Sequence, residues 1–362
     1  MRADILDLSK DRPYRLVTGD SLSILRELPD ESIDCVITSP PYWGLRDYDI
    51  ESDFSGAALG MENSFEEYLN KLLPIFAEVK RVLKSKGSLW LNIGDRYRNK
   101  DLLGMPWRVA FALKDNQGWI LRSDIIWNKV RMTQSAKDRV RNVHEYIFHF
   151  VKNRSYFFDY SKIYLKHNER PVRLEDGRTI SITGTSGVKY RRQIIHSEHL
   201  SEEEKKEALK VLDKTIEEMN KGEILDFRMT IRGYQRPAHG ASARLSGRAT
   251  ELEKKGFYII KQKSEGYLPT DIWDIVPEDT HRTDTHCSVY PLDLLTIPIK
   301  ATCPEGGIVM DPFSGTGSTV LASLMLGRYA IGIDMSKYYT KVAEYRIRKS
   351  LGLISGVWSS TA

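Results

Sequence analysis

The run Ser39-Pro40-Pro41-Tyr42-Trp43 brings together residue types suited to chemistry on a flat amine. It follows an apolar, strand-like stretch that ends at Thr38. Two prolines cannot continue a sheet ladder, because each lacks a backbone N–H and fixes φ. The strand must therefore stop with a hydroxyl, a rigid pair of backbone carbonyls and two aromatic faces. That is an acceptor cluster beside a stacking platform, which is what a flat ring carrying an amino group would need.

A second run, Asp311-Pro312-Phe313-Ser314-Gly315-Thr316-Gly317-Ser318-Thr319, follows one strand pattern and opens a helix pattern. In that setting closely approaching backbone and a helix N-terminus hold a nucleotide-like ligand. Val320 stands where a dinucleotide fingerprint needs its third glycine, and no Gly-Lys-Ser/Thr follows, so neither a dinucleotide nor a phosphate-loop nucleotide is favoured. A different adenosyl cofactor fits better. Asp334 closes the next strand, in Gly332-Ile333-Asp334, where an acid can accept hydrogen bonds from both ribose hydroxyls. A glycine-rich turn by itself can be turn chemistry alone; Asp334 counts against that.

The elements that must position these runs alternate between strand and helix, the signature of a doubly wound parallel sheet. Strands are expected at Tyr14 to Asp20, Ser32 to Thr38, Ser88 to Ile93, Gly307 to Met310 and Tyr329 to Ile333. Helices are expected at Ser21 to Leu28, Phe65 to Leu83, Met105 to Asn116, Leu292 to Ala301, Ser318 to Leu326 and Lys337 to Arg348. Trp119 to Trp127 and Glu145 to Val151 suggest an antiparallel hairpin at one edge of the sheet. From about Tyr160 to Leu268 the rhythm breaks down, apart from a helix over Leu200 to Asn220 that opens with Ser201 and Glu204 as a capping box. Lys189, Arg191, Arg192, Arg228, Arg232, Arg236, Arg244 and Arg248 lie in this insertion among Tyr190 and Tyr234. Such segments could track phosphates, and a solvated polar surface is the alternative.

Composition bounds the rest. The chain has 362 residues, 41% of them hydrophobic, enough for one large α/β domain with an insertion or for two domains. No apolar run approaches the roughly 18 residues that span a bilayer, and Met1-Arg2-Ala3-Asp4 has no apolar signal region, so a cytoplasmic protein is expected. Cys35, Cys287 and Cys303 are too few and too scattered for a disulfide framework or a metal site; no metal is expected. The net charge of +5 permits a polyanionic partner without demonstrating one.

The two runs together resemble the catalytic and cofactor motifs of the exocyclic-amino DNA methyltransferases. With the catalytic motif upstream, an insertion between and the cofactor motif downstream, the order resembles the β class of that family. Gly19-Asp20, Asn142-Val143-His144-Glu145 and His286-Cys287-Ser288-Val289-Tyr290-Pro291 add to the likeness, which spans both α/β segments but not the insertion. The resemblance implies a Rossmann-like, mostly parallel α/β sheet with an antiparallel edge hairpin. It also implies a catalytic part at 1–159, an inserted target-recognition region at 160–268 and a cofactor-binding part at 269–362.

It further implies S-adenosyl-L-methionine as cofactor and double-stranded DNA as substrate, with a flipped-out base. A cognate restriction endonuclease is an expected partner, and the chain would act as a monomer or homodimer. Ser39 and the Pro40 carbonyl would each accept an amino proton within the motif that Pro41 completes, with Tyr42 stacked on the base. Phe313, Ser314, Gly315, Thr316 and Gly317 would line the cofactor, Asp311 would hold its amino end, Asp334 its ribose and Asp20 its adenine. An N-terminal helix cap is the competing role for Asp20. Trp43 is read as a second wall of the base pocket, with a core aromatic as the alternative; the loop from Gly44 to Gly60 could fold over the base or be an ordinary connection. His144 and Glu145 default to structural hydrogen bonds. Ser before Pro-Pro-Tyr is usual for cytosine N4 in that family, and Asp or Asn for adenine N6, so cytosine is expected and adenine is the runner-up. An RNA or protein-amide methyltransferase, and a DNA-binding protein without catalysis, remain open.

Overall fold

The strands Ile33–Thr38 and Leu83–Ile93 are buried without a break over Cys35 to Thr38 and Gly87 to Ile93, because both faces of their sheet are covered there, as parallel sheets require. A computed structural model of the chain describes residues 5–44, 59–130, 137–165, 170–175, 177–234, 247–264, 266–277 and 291–354. Most of the loop between Gly44 and Gly60, His286 to Tyr290 with Cys287, Arg236, Arg244 and the first four residues lie outside the described residues. The chain divides into two compact units, Met1–Ile163 with Thr270–Ala362, and Tyr164–Pro269.

The first unit is built on eight strands: β1 (Tyr14–Thr18), β2 (Ile33–Thr38), β3 (Leu83–Ile93), β4 (Ile120–Asn128), β5 (His144–Val151), β6 (Ile272–Asp274), β7 (Ile308–Asp311) and β8 (Tyr329–Asp334). Their spatial order is β1-β8-β7-β2-β3-β5-β4-β6. The five from β1 to β3 run parallel; β5 is antiparallel to both β3 and β4. The hairpin expected at the edge is therefore one strand inside it. Three-residue β6 joins parallel to β4 and covers that edge, which limits unpaired backbone there.

Helices α1 (Ser21–Glu27), α2 (Phe65–Val82), α3 (Met105–Gln117), α4 (Leu292–Thr302) and α5 (Ser318–Met325) lie between successive strands, and α6 (Lys337–Ser350) follows the last of them. Alternate strand residues feed two cores. Val36, Leu89, Leu91, Phe148 and Phe150 pack with Leu25, Tyr68, Leu72, Phe76 and Leu113. Their neighbours Cys35, Ile37, Trp90 and Ile147 pack with Leu294, Leu295 and Ile299 of α4.

The second unit has its own core, in which Phe227, Met229 and Ile231 meet Phe257, Ile194 and Leu212. Two strands that the sequence did not announce, Ile224–Ile231 and Phe257–Lys263, pair antiparallel. A register shift between Ile224 and Asp226 breaks the alternation that would have marked the first of them. The expected capping box is present: Ser201 accepts from the Glu204 N–H, and the Glu204 carboxylate accepts from the Ser201 N–H.

Candidate active site

Crossovers from β2 and β7 leave in opposite directions. β2 passes through α2 to β3 on one side, while β7 passes through α5 to β8 on the other, and β2 and β7 are hydrogen-bonded neighbours. A crevice outside the carboxyl ends of two such strands is the ligand site of an open α/β sheet. The two chemical runs, more than two hundred residues apart in sequence, emerge side by side there. Thr38, the last residue of β2, donates to Asp311, the last residue of β7, at 2.6 Å.

On the β2 side, Ser39 Oγ lies 3.1 Å from the Tyr42 hydroxyl. That hydroxyl donates to Glu145 Oε2 at 2.9 Å, and Asn92 Nδ2 donates both to it at 2.8 Å and to Glu145 Oε2 at 2.7 Å. Lys129 at the end of β4 closes the cluster on Glu145 Oε1. Gly94 makes room: a Cβ there would stand 2.9 Å from the Tyr42 ring and 3.2 Å from Glu145 Cγ. Tyr68 of α2 donates to the Pro41 carbonyl at 3.0 Å and fixes the bend after the strand. Pro40 is buried, while Ser39, Pro41 and Tyr42 are half-buried. Glu145, expected to make a structural hydrogen bond, makes several, to Tyr42, Asn92 and Lys129. Asn92 was not singled out at all. Their position at the ends of β5 and β3 is a signal visible only once the strand register is known.

On the β7 side, the turn is held open by its own backbone. Gly315 and Gly317 have φ of +50° and +77°, the left-handed region that favours glycine, and a Cβ on Gly317 would lie 2.9 Å from Ala343 Cβ. Asp334 reaches back from β8 to accept the Gly315 N–H at 2.8 Å and the Ser336 N–H at 2.8 Å. Burial raises its carboxyl above the ordinary range, and those two bonds pull the other way. Thr316 is buried, with its carbonyl 3.3 Å from the Arg346 guanidinium of α6. Ser314 is also buried, and its Oγ has no partner among the described residues. Phe313 is half-buried against the first core.

Asp311, expected to hold the amino end of the cofactor, is enclosed by donors of the chain itself. It is 2% exposed and accepts from Thr38, from the Phe313 N–H at 3.0 Å and from Thr319 at 2.7 Å. Burial pushes its carboxyl up to about 6; the three hydrogen bonds oppose the rise and the charge of Asp334 adds to it. Asp311 is a strut between the two motifs.

Asp20 caps α1, its Oδ2 accepting from the Ser23 N–H at 2.8 Å and the Ser23 hydroxyl at 2.7 Å. Trp43, read above as a second wall of the base pocket, belongs to the core instead. It is 7% exposed, edge-on to Phe65, and donates to the Glu62 carbonyl. His144 stands edge-on to Tyr146. Burial pushes the Cys35 thiol up to about 12 and raises that of Cys303, so both are packing residues. Among the described residues no cluster of three or more His, Cys, Asp or Glu could hold a metal, and no helix is long and apolar enough to cross a membrane.

In the second unit, Arg232 is structural: it binds Glu204 at 2.6 Å and the His199 carbonyl. Arg191 pairs with Asp213. Lys189, Arg192, Arg228 and Arg248 are exposed. A cavity of about 330 Å³ opens among Lys189, Tyr190, Gln193, Thr230, Tyr234 and Tyr258.

A family model described as DNA methylase matches residues 33–345, which takes in both motifs. The chain belongs to the DNA methylase family. Within that N6/N4 family it is 31% identical over 386 residues to the Type II methyltransferase M.SfiI of Streptomyces fimbriatus, covering 90% of this chain and 89% of that one. It is 46% identical over 179 residues to the Type II methyltransferase M.XycI of Xanthomonas campestris pv. cyanopsidis. That match takes in 41% of this chain and 58% of the relative, less than two thirds of its length. Among solved structures, the cytosine-N4-specific PvuII DNA methyltransferase superposes with a TM-score of 0.57 at 16% identity, over 96% of this chain and 89% of that one. The fold is that of the class I S-adenosylmethionine-dependent methyltransferases.

Proposed function

We propose that this chain transfers a methyl group from S-adenosylmethionine to the exocyclic N4 of a cytosine rotated out of duplex DNA, at a sequence chosen by its second unit. The observation that carries this is the Thr38–Asp311 bond, which sets the acceptor cluster and the glycine-rich turn at adjacent strand ends in one crevice. The serine at position 39, usual before Pro-Pro-Tyr for cytosine N4 in the family, favours cytosine over adenine.

The turn fits an adenosyl cofactor. Its two left-handed glycines keep side chains out of a cradle between β7 and α5, and Asp334 offers two carboxylate oxygens beside it. Phe313, Gly315, Thr316 and Gly317 would line that cofactor, and Asp334 would accept from the ribose hydroxyls. Asp20 would reach the adenine only with the carboxylate oxygen that its capping role leaves over. When bound, S-adenosylmethionine supplies an electrophilic methyl group.

The chain's own residues supply the rest. A cytosine amino nitrogen has its lone pair delocalised into the ring and becomes nucleophilic as it moves towards tetrahedral geometry. Acceptors placed at both amino protons favour that geometry, and Ser39 Oγ with the Pro40 carbonyl are the acceptors on offer. Tyr42 stacks on the base and holds the nitrogen in line with the methyl group. No covalent enzyme intermediate is needed. Exposed Lys189, Arg192 and Arg228 would contact phosphates, and the names of its relatives as Type II methyltransferases support a cognate endonuclease on a separate chain.

The test is transfer of labelled methyl groups to unmethylated genomic DNA by the full chain, with Ser39→Ala as control. The label should enter DNA with the wild type and fall sharply with the variant. Equal incorporation by both would remove Ser39 from the mechanism.

A further inference from the structure

The donor and acceptor chemistry of Lys129, Glu145 and Asn92 fixes the direction of the hydrogen bonds that link Ser39, Tyr42 and Glu145. Lys129 can only donate, and an ionised Glu145 carboxylate can only accept. The Asn92 amide is oriented by the same rule, since an oxygen 2.7 Å from Glu145 Oε2 would face another oxygen with no proton between them. The Tyr42 hydroxyl, 2.9 Å from that carboxylate oxygen, spends its one proton there. Its oxygen must then accept from Asn92 at 2.8 Å and from Ser39 at 3.1 Å. The single proton of Ser39 is thereby committed away from the crevice, and its oxygen turns only lone pairs towards a ligand.

We propose that Glu145, seated by Lys129 and Asn92, is a positioning residue that sets this direction and so holds Ser39 as a pure acceptor for the amino protons of the target base. The proposal rests on the methyl-transfer reading above. Without the carboxylate the chain of bonds can run backwards: Tyr42 donates to Ser39, and the serine proton swings into the crevice against an amino N–H. Glutamine at position 145 is the same size but has one acceptor oxygen for three donors, Tyr42, Asn92 and Lys129. Glu145 and Lys129 are 15% and 16% exposed, so the pair is sheltered from screening. Gly94, which has no Cβ to separate the Tyr42 ring from Glu145, is part of the same fit.

The experiment compares wild type, Glu145→Gln, Tyr42→Phe and the double variant, using S-adenosylmethionine and unmethylated genomic DNA. Glu145→Gln should lower kcat roughly 10- to 100-fold, the range for a misdirected charge-assisted hydrogen bond. KM for DNA and Kd for S-adenosylmethionine should change less than about twofold, as expected for a group that acts only in the transition state. Tyr42→Phe should lower kcat in the same way, and the double variant should lose no more than the worse single one, because both act through one chain of bonds. Losses that multiply, or a wild-type kcat in Glu145→Gln, would overturn the proposal. Should Glu145→Gln not fold, Tyr42→Phe removes a single oxygen, and a wild-type kcat there is equally decisive against it. A wild-type chain that methylates no nucleobase amine brings down the functional reading and this proposal together; an active wild type with indifferent variants brings down this proposal alone.

Discussion

Replacing Asp311 by Asn should change how stability depends on pH. The Asp311 carboxyl is raised from its ordinary 3.8 to about 6, chiefly by burial. Between those values the folded chain keeps a proton that the unfolded chain has released. Stability from this group is therefore complete below about pH 4, falls as pH rises, and is fully lost above about pH 6. A shift of about two units corresponds to roughly 3 kcal/mol at about 1.36 kcal/mol per unit. Other carboxyls titrate in the same window, so the informative quantity is the difference between wild type and Asp311→Asn. Urea unfolding followed by tryptophan fluorescence suits it, because none of the seven tryptophans lies within Tyr164–Pro269 and the signal reports the first unit alone. Relative to the variant, wild type should lose roughly 3 kcal/mol between pH 4 and pH 7. A difference that stays constant over that range would refute the description of Asp311 as a buried, neutral-preferring strut.

Other consequences are direct. Ser39→Ala should lower kcat by about 100-fold or more with cofactor affinity near normal, whereas Asp334→Ala should weaken cofactor binding first, by about 10- to 100-fold; equilibrium dialysis and single-turnover methylation separate the two. Gly317→Ala forces a side chain into left-handed backbone against Ala343, and should destabilise the first unit by about 1–2 kcal/mol or more in thermal unfolding. DNA affinity should fall steeply with salt, and neutralising Lys189, Arg192 or Arg228 should each reduce the log–log slope by about one.

Much of the sheet was legible because its strands are short, two-sided apolar runs punctuated by glycine and proline, and because each helix carries apolar residues at helical spacing. The two chemical runs were legible for the same local reason: Pro40-Pro41 ends a strand and Gly315-Thr316-Gly317 opens a helix. What stayed hidden depends on register. Three-residue β6 is too short to show a period, and the bulge after Ile224 broke the pattern of a strand in the second unit. Glu145 lies 103 residues from Tyr42, and only the β3–β5 pairing brings it near. Nothing in the segment around Asp311 shows Thr38 waiting at the next strand end. Trp43 shares a run with Tyr42, yet its ring turns into the core. The proximity of two aromatic residues in sequence says nothing about which face each one takes.

The identity of the methylated base tests the central claim most directly. Genomic DNA treated with the full chain and S-adenosylmethionine, digested to nucleosides and resolved by mass spectrometry with authentic standards, should contain N4-methylcytosine and lack it when Ser39 is replaced by Ala. N6-methyladenine in its place, or no methylated nucleoside with a folded, cofactor-binding chain, would contradict the assignment of Ser39 as the acceptor for a cytosine amine.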